Sequence, residues 1–219
     1  MKFLSILTVS VLSILALPSW AEITPVDQAS EQPVLVELFA NQNCSACPQA
    51  HKTMRDISAE RDDILVLTWV VDYWDYLGEP DPMAMPVAKA RQAEYAETLG
   101  LRAPYTPQSV YNGVKQCPGP RKRQVIKNIK ALSKGPPSER FLIEDSGKIS
   151  SVGNMLGDEA LFVVRFIASD AHDTKMVNPV TSIEKLEGMQ DVIHGCEQDC
   201  AVLLQSTKTG EVLSFWKAD

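Results

Sequence analysis

The order of apolar segments predicts an α/β protein: a mixed sheet with flanking helices, followed by a smaller β-rich domain. Three observations carry that reading. A compact β-rich run, Val34 to Phe39, leads through a polar turn into apolar residues at helical spacing. A second run, Ile64 to Val71, is apolar almost throughout, as a strand covered on both faces should be. Asn112-Gly113 then divides two further β-rich stretches and supplies the positive φ angles of a tight hairpin turn.

Taken in order, the chain opens with Lys2, an uncharged apolar stretch from Phe3 to Leu17, Pro18, and the small-residue pattern Ser19-Trp20-Ala21. That is the pattern of a cleavable secretory signal over residues 1–21, and the apolar stretch is too short to span a bilayer comfortably. A periplasmic or secreted location is therefore expected, with residues 22–33 as a loose leader. The first domain is placed at 34–134. Cys47, Ala50, Met54 and Ile57 mark a helix ending near Glu60. Asp81-Pro82 or Pro86 opens a second helix, which Gly100 closes. Gln108–Tyr111 and Val114–Cys117 form the hairpin, and Val125, Ile126, Ile129 and Leu132 a last amphipathic helix. Strand, helix, strand implies a parallel pair with a right-handed crossover. With the hairpin and final helix added, the order is that of a minimal thioredoxin-like domain. Gly135-Pro136-Pro137 marks the boundary to a β-rich domain at 138–219, with strands expected at Phe141–Ile143, Lys148–Val152, Leu161–Ile167, Ala201–Gln205 and Val212–Trp216.

The chain has 219 residues and a formal net charge of −7. Such acidity argues against nucleic acid or anionic lipid as a partner, and no second segment is apolar and long enough for stable membrane insertion. No cofactor is expected. Nothing in the sequence sets the oligomeric state.

The chemistry is concentrated in Cys44-Ser45-Ala46-Cys47. At a helix N-terminus, unpaired backbone N–H groups and the helix dipole lower the pKa of Cys44 and make it an exposed attacking thiolate. Cys47, one turn inside, would resolve the mixed disulfide. Glu37 interrupts the first strand and is either a buried proton acceptor beside the inner thiol or a residue of an exposed strand face. Pro107, after Thr106, is either a cis-proline facing the dithiol, with the Thr106 backbone offered to an extended peptide, or an ordinary trans-proline. Tyr73 and Trp74 follow the second strand at the same sheet edge as Cys44, where they form an apolar substrate platform or fold inward. The expected partners are protein or peptide thiols and disulfides. A structural disulfide in a redox-silent binding protein is the alternative, and a metal carrier using His51 and Cys117 a weaker one, lacking a second Cys-x-x-Cys. Otherwise His51 is a polar residue of the helix surface.

In an oxidising compartment the odd count of five cysteines leaves at least one free or paired between molecules. Cys196 and Cys200, four apart before a strand, are expected to form a structural disulfide. Cys117 is either the free thiol or a bridge to the second domain.

Val36-Glu37-Leu38-Phe39, Cys44-Ser45-x-Cys47-Pro48, Val71-Asp72-Tyr73-Trp74-Asp75-Tyr76-Leu77-Gly78, Asp81-Pro82, Arg91-Gln92 and Tyr105-Thr106-Pro107-Gln108 together resemble the exported thioredoxin-like family catalogued as domain of unknown function 1223. The similarity runs from about Val34 to the final strand. It implies a thioredoxin fold with a β-rich C-terminal part, mostly in bacterial envelopes, and supplies no established reaction. This chain departs from the family pattern at Val70, where a histidine is usual, at Glu79, where a tryptophan is common, and at Ser169-Asp170-Ala171, where a Gly-Glu-Asn-like turn is expected.

Overall fold

The computed structural model describes residues 32–134, 140–144, 147–151, 156–169, 175–187, 193, 196 and 199–218. The expected signal, most of the expected leader and the expected boundary at Gly135-Pro136-Pro137 lie outside them.

The first strand, β1 (Val34–Ala40), is followed by α1 (Cys47–Ser58), β2 (Ile64–Val70), a short 3₁₀ turn (Asp75–Leu77), α2 (Pro86–Thr98), the hairpin β3 (Gln108–Tyr111) and β4 (Lys115–Pro118), and α3 (Lys122–Leu132). β1 lies parallel to β2, with Val34 opposite Ile64, and antiparallel to β3, with Val36 opposite Tyr111, in the sheet order β2-β1-β3-β4. The hairpin turn is made as its chemistry requires, with φ 44° at Asn112 and 72° at Gly113. α2 begins at Pro86, the second of the two expected starts.

The second half contributes β5 (Phe141–Ile143) paired with β6 (Ile149–Ser151), then β7 (Glu159–Phe166), β8 (Val180–Lys185), β9 (Cys200–Ser206) and β10 (Val212–Lys217). These last four form an antiparallel sheet in the order β10-β9-β7-β8. The fold class is thus the expected one, a mixed α/β unit followed by a β-rich region. β8 is absent from the sequence reading. Its Val-Thr-Ser-Ile-Glu-Lys carries little apolar signal because it is an edge strand, and charge there discourages further pairing.

The layers follow from alternation along β1, whose residues are all buried. Val34, Val36, Leu38 and Ala40 face α1 and α3 through Ala50, Met54, Ile57, Val125 and Ile129. Leu35 and Phe39 face the other way, where Leu67, Trp69, Ala88 and Tyr95 join Val164, Phe166, Ala201 and Leu203 of the second sheet in one cluster. The second sheet's far side packs Leu161, Val163, Val202 and Leu204 against Phe141 and Ile149. The free edge of β2 is covered: Thr68 N donates to Asn178 O at 3.0 Å, and the Asn178 side chain donates to Val66 O at 2.9 Å.

At the seam Val212 N donates to Asn112 O at 2.9 Å. The hairpin turn approaches the β9–β10 turn so closely that a Cβ on Gly113 would sit 2.0 Å from the Gly210 carbonyl oxygen. Gly100 has a similar φ of 65° with nothing within 4 Å. Gly113→Ala should therefore destabilise the protein by roughly 3 kcal/mol or more, against about 1 kcal/mol for Gly100→Ala, as read from denaturant midpoints. Equal costs would mean that backbone conformation, not the close approach, fixes the glycine.

Candidate dithiol site

The turn after β1 brings Cys44 and Cys47 together as a disulfide with Cα atoms 5.4 Å apart. Cys47 N donates to Cys44 O at 3.0 Å, and Cys47 is the first residue of α1, with Pro48 in the first turn where its missing N–H costs nothing. Ala46 offers no side chain to cap the helix, so the N-terminal N–H groups are left to the dithiol's surroundings. The expectation of an exposed Cys44 is corrected: Cys44 is 5% exposed and Cys47 2%, both within the core under α1.

A second loop braces the turn. Asn41 Nδ2 donates to Val71 O at 2.7 Å and to Asp75 Oδ1 at 2.9 Å, while its Oδ1 accepts Asn43 N at 2.8 Å. Gln42 N donates to Asp81 Oδ2 at 2.7 Å, and the Asn43 side chain donates to Glu79 O at 3.0 Å. Sequence reasoning passed over Asn41 and gave Asp75 and Asp81, though both fall in the motifs of the resemblance, no part in the site. The available signal was amide side chains beside a loop of fixed spacing, which β-parallel geometry delivers to the same sheet edge.

Tyr73 and Trp74 diverge. The Tyr73 hydroxyl donates to Gln92 Oε1 on α2 at 3.0 Å. Trp74 packs against the cluster holding both sulfurs, and its Nε1 donates to Thr106 Oγ1 at 2.5 Å. The Tyr76 ring, 77% exposed, stacks on Trp74 with centroids 6.3 Å apart. The Thr106–Pro107 peptide is cis. Gly119 fixes Pro107 beside α1: its N donates to Pro107 O, and a Cβ there would lie 2.9 Å from the Ala50 Cβ and 3.7 Å from the Pro107 Cβ.

Glu37 is not beside the inner thiol. Alternation puts it on the opposite face of β1, 1% exposed and held by Arg91 through Nε and Nη2, with the Tyr95 hydroxyl donating to the same carboxylate. Arg91 Nη1 donates to Gln205 Oε1 at 3.0 Å. Burial disfavours the Arg91 charge, but Glu37 beside it outweighs that and keeps it protonated. Burial pushes the Tyr95 hydroxyl well above the usual tyrosine value. Glu37 is therefore a structural ion-pair partner rather than a proton carrier for Cys47. Removing one member of a buried pair leaves the other uncompensated, so Glu37→Gln should cost about 3–5 kcal/mol in denaturant unfolding. It should leave the rate at which a small thiol reduces Cys44–Cys47 unchanged, and a slowed reduction would return Glu37 to the site.

His51 is likewise corrected from surface to interior. It is 5% exposed, and its Nδ1 accepts Val177 N at 3.4 Å. Burial, then the nearby Arg55, lowers its pKa from 6.5 to about 4. Because the folded value lies below the unfolded one, the unfolded chain takes the proton first. Stability is complete above pH 6.5 and drains as pH falls toward 4, by at most about 3 kcal/mol. Unfolding measured across that window should show the slope, and His51→Leu should flatten it.

Cys117 is buried and free, its sulfur 3.2 Å from the Tyr111 hydroxyl. Cys196 and Cys200 are joined, with Cα atoms 5.3 Å apart. Among the described residues no group of three or more His, Cys, Asp or Glu side chains gathers to hold a metal ion, and no helix is long and apolar enough to cross a membrane.

No curated protein matches the chain. A crystal structure of a protein from Agrobacterium tumefaciens is similar over 85% of this chain and 93% of its own, at 25% identity and a TM-score of 0.66. HBP35 of Porphyromonas gingivalis is similar over 85% of this chain and 74% of its own, at 10% identity and a TM-score of 0.48. The model of a family of proteins of unknown function, DUF1223, matches residues 35–173, a span that takes in the dithiol, its brace and the Thr106–Pro107 segment, and the chain belongs to that family.

Proposed function

We propose that the chain is an exported thiol–disulfide oxidoreductase acting on protein or peptide thiols in the bacterial envelope. The observation that carries this is the Cys44–Cys47 disulfide at the start of α1, roofed by Trp74, which is tied to Thr106 beside Pro107. In oxidation, a substrate thiolate attacks Cys44 Sγ. The Cys44–Cys47 bond breaks, the mixed disulfide forms and Cys47 leaves as thiolate. A second substrate thiolate then attacks the substrate sulfur of the mixed disulfide and expels Cys44. Two electrons have passed from the substrate to the pair. Run backwards, Cys44 attacks a substrate disulfide and Cys47 resolves the adduct. Thr106, Tyr73 and Trp74 are the substrate-side residues in this reading, and Pro107 the wall against which a substrate chain lies. The amino-terminal segment acts as the export signal.

The burial of both sulfurs favours a second reading, a redox-silent envelope binding protein with a stapled turn. Substitution separates the two. In the oxidoreductase, Cys47→Ser keeps the attack and removes the escape, so reducible covalent adducts accumulate in cells, whereas Cys44→Ser traps nothing and stops exchange. In the binding protein both substitutions destabilise the fold alike, by roughly 2–4 kcal/mol, and neither traps a partner. A reduction potential below about −300 mV would favour the staple.

A further inference from the structure

Gln92 is fully buried on α2 and reaches three residues on two other segments at once. Its Oε1 accepts the Tyr73 hydroxyl at 3.0 Å. Its Nε2 donates to Tyr105 O at 2.8 Å and to Gln108 Oε1 at 2.9 Å. The Tyr105 hydroxyl is itself tethered to Gln116 on β4, so this residue is held at both ends. Thr106 and Pro107 lie between the two positions that Gln92 grips. Meanwhile Trp74, the neighbour of Tyr73, is fastened to Thr106 from the other face of the sheet. The aromatic loop and the 105–108 segment are thus joined twice, once through a buried amide and once beside the sulfurs.

A buried amide of this kind is costly unless all its bonds are made, and an apolar side chain on α2 would fill the same space. Packing alone does not call for a glutamine. What the amide adds is a fixed relation between two loops that no strand pairing joins. Its far end, Gln108, is fully buried with Nε2 unpartnered among the described residues, so the network ends there rather than closing on itself.

We infer that Gln92 is a positioning residue for the substrate-facing edge of the dithiol site, setting the distance between the Tyr73-Trp74 loop and the Tyr105–Gln108 segment. The inference rests on the oxidoreductase reading for what the edge does, since Gln92 touches neither sulfur. A peptide lying along that edge feels the spacing. A small disulfide that needs only to reach Cys44 does not.

The test uses the full mature chain, a short peptide with one intramolecular disulfide, and bis(2-hydroxyethyl) disulfide. Gln92→Met should raise KM for the peptide about tenfold while kcat stays within about twofold, and should change the rate with the small disulfide by less than about twofold. Equal losses with both substrates, or no change in either, would overturn the inference. If Gln92→Met does not fold, Gln92→Glu carries the same test, because it keeps the acceptor for Tyr73 and removes both amide donors. Amide hydrogen exchange gives a readout that needs no activity. Loss of the clamp should speed exchange in residues 72–77 and 105–108 together, with β1 unaffected, while acceleration in α2 alone would refute it. A wild-type chain inert toward every disulfide would overturn the oxidoreductase reading, and the paired exchange response would then decide the clamp by itself.

Discussion

The ion pair of Glu37 and Arg91 sits where three layers meet, and its requirements reach further than its size suggests. A carboxylate and a guanidinium at 1% and 7% exposure survive burial only if their hydrogen-bonding capacity is met. Tyr95, one turn along α2, and Gln205, on β9, supply the remaining partners. Arg91 also lies over the Trp69 ring, with Cζ 5.0 Å from the centroid. Meeting these conditions together fixes the rotation of α2, the register of β9 against it, and the face of β1 that carries Glu37. Once that face is set, alternation sends Leu38 and Ala40 to the dithiol helix.

The family pattern acquires physical content from the brace. Asn41 and Asp81 act through their side chains, but Glu79 acts through its carbonyl, which accepts from both Gln42 and Asn43. A change of side chain at 79 therefore leaves the brace intact. Val70 is different in kind. It is fully buried at the end of β2, opposite Ala40, with its carbonyl accepting Met85 N. Its side chain shares the face of Ala40, in the apolar layer around the dithiol helix.

Much of the fold was legible because its signals are local. The Asn-Gly turn, the β-rich run of β1, the doubly buried β2 and the period of α1 each follow from neighbours within a few residues. What escaped depends on contacts across the chain. The β-rich run of β1 was visible, yet which of its faces received α1 was not, so Glu37 was read either beside the inner thiol or on an exposed face, and it is neither. His51 read as surface because its cover, Val177, lies far along the sequence. β8 has an edge strand's composition and acquires its identity only by pairing with β7. The dithiol was plain from spacing, whereas its burial depends on a loop some thirty residues away.

The cluster between α2 and the second sheet draws on Leu35 and Phe39 near one end of the chain and on Leu203 and Val212 near the other. None of the first strands can complete that face with its sequence neighbours alone. Folding must therefore wait for the residues beyond α3, and the entropy of closing such long loops is spent before the contacts that reward it appear. A chain cut behind α3 would hold every residue of the dithiol turn and still show water the apolar side of its own central strand. The disulfide belongs to the front of the molecule, but the right to fold around it is held at the back.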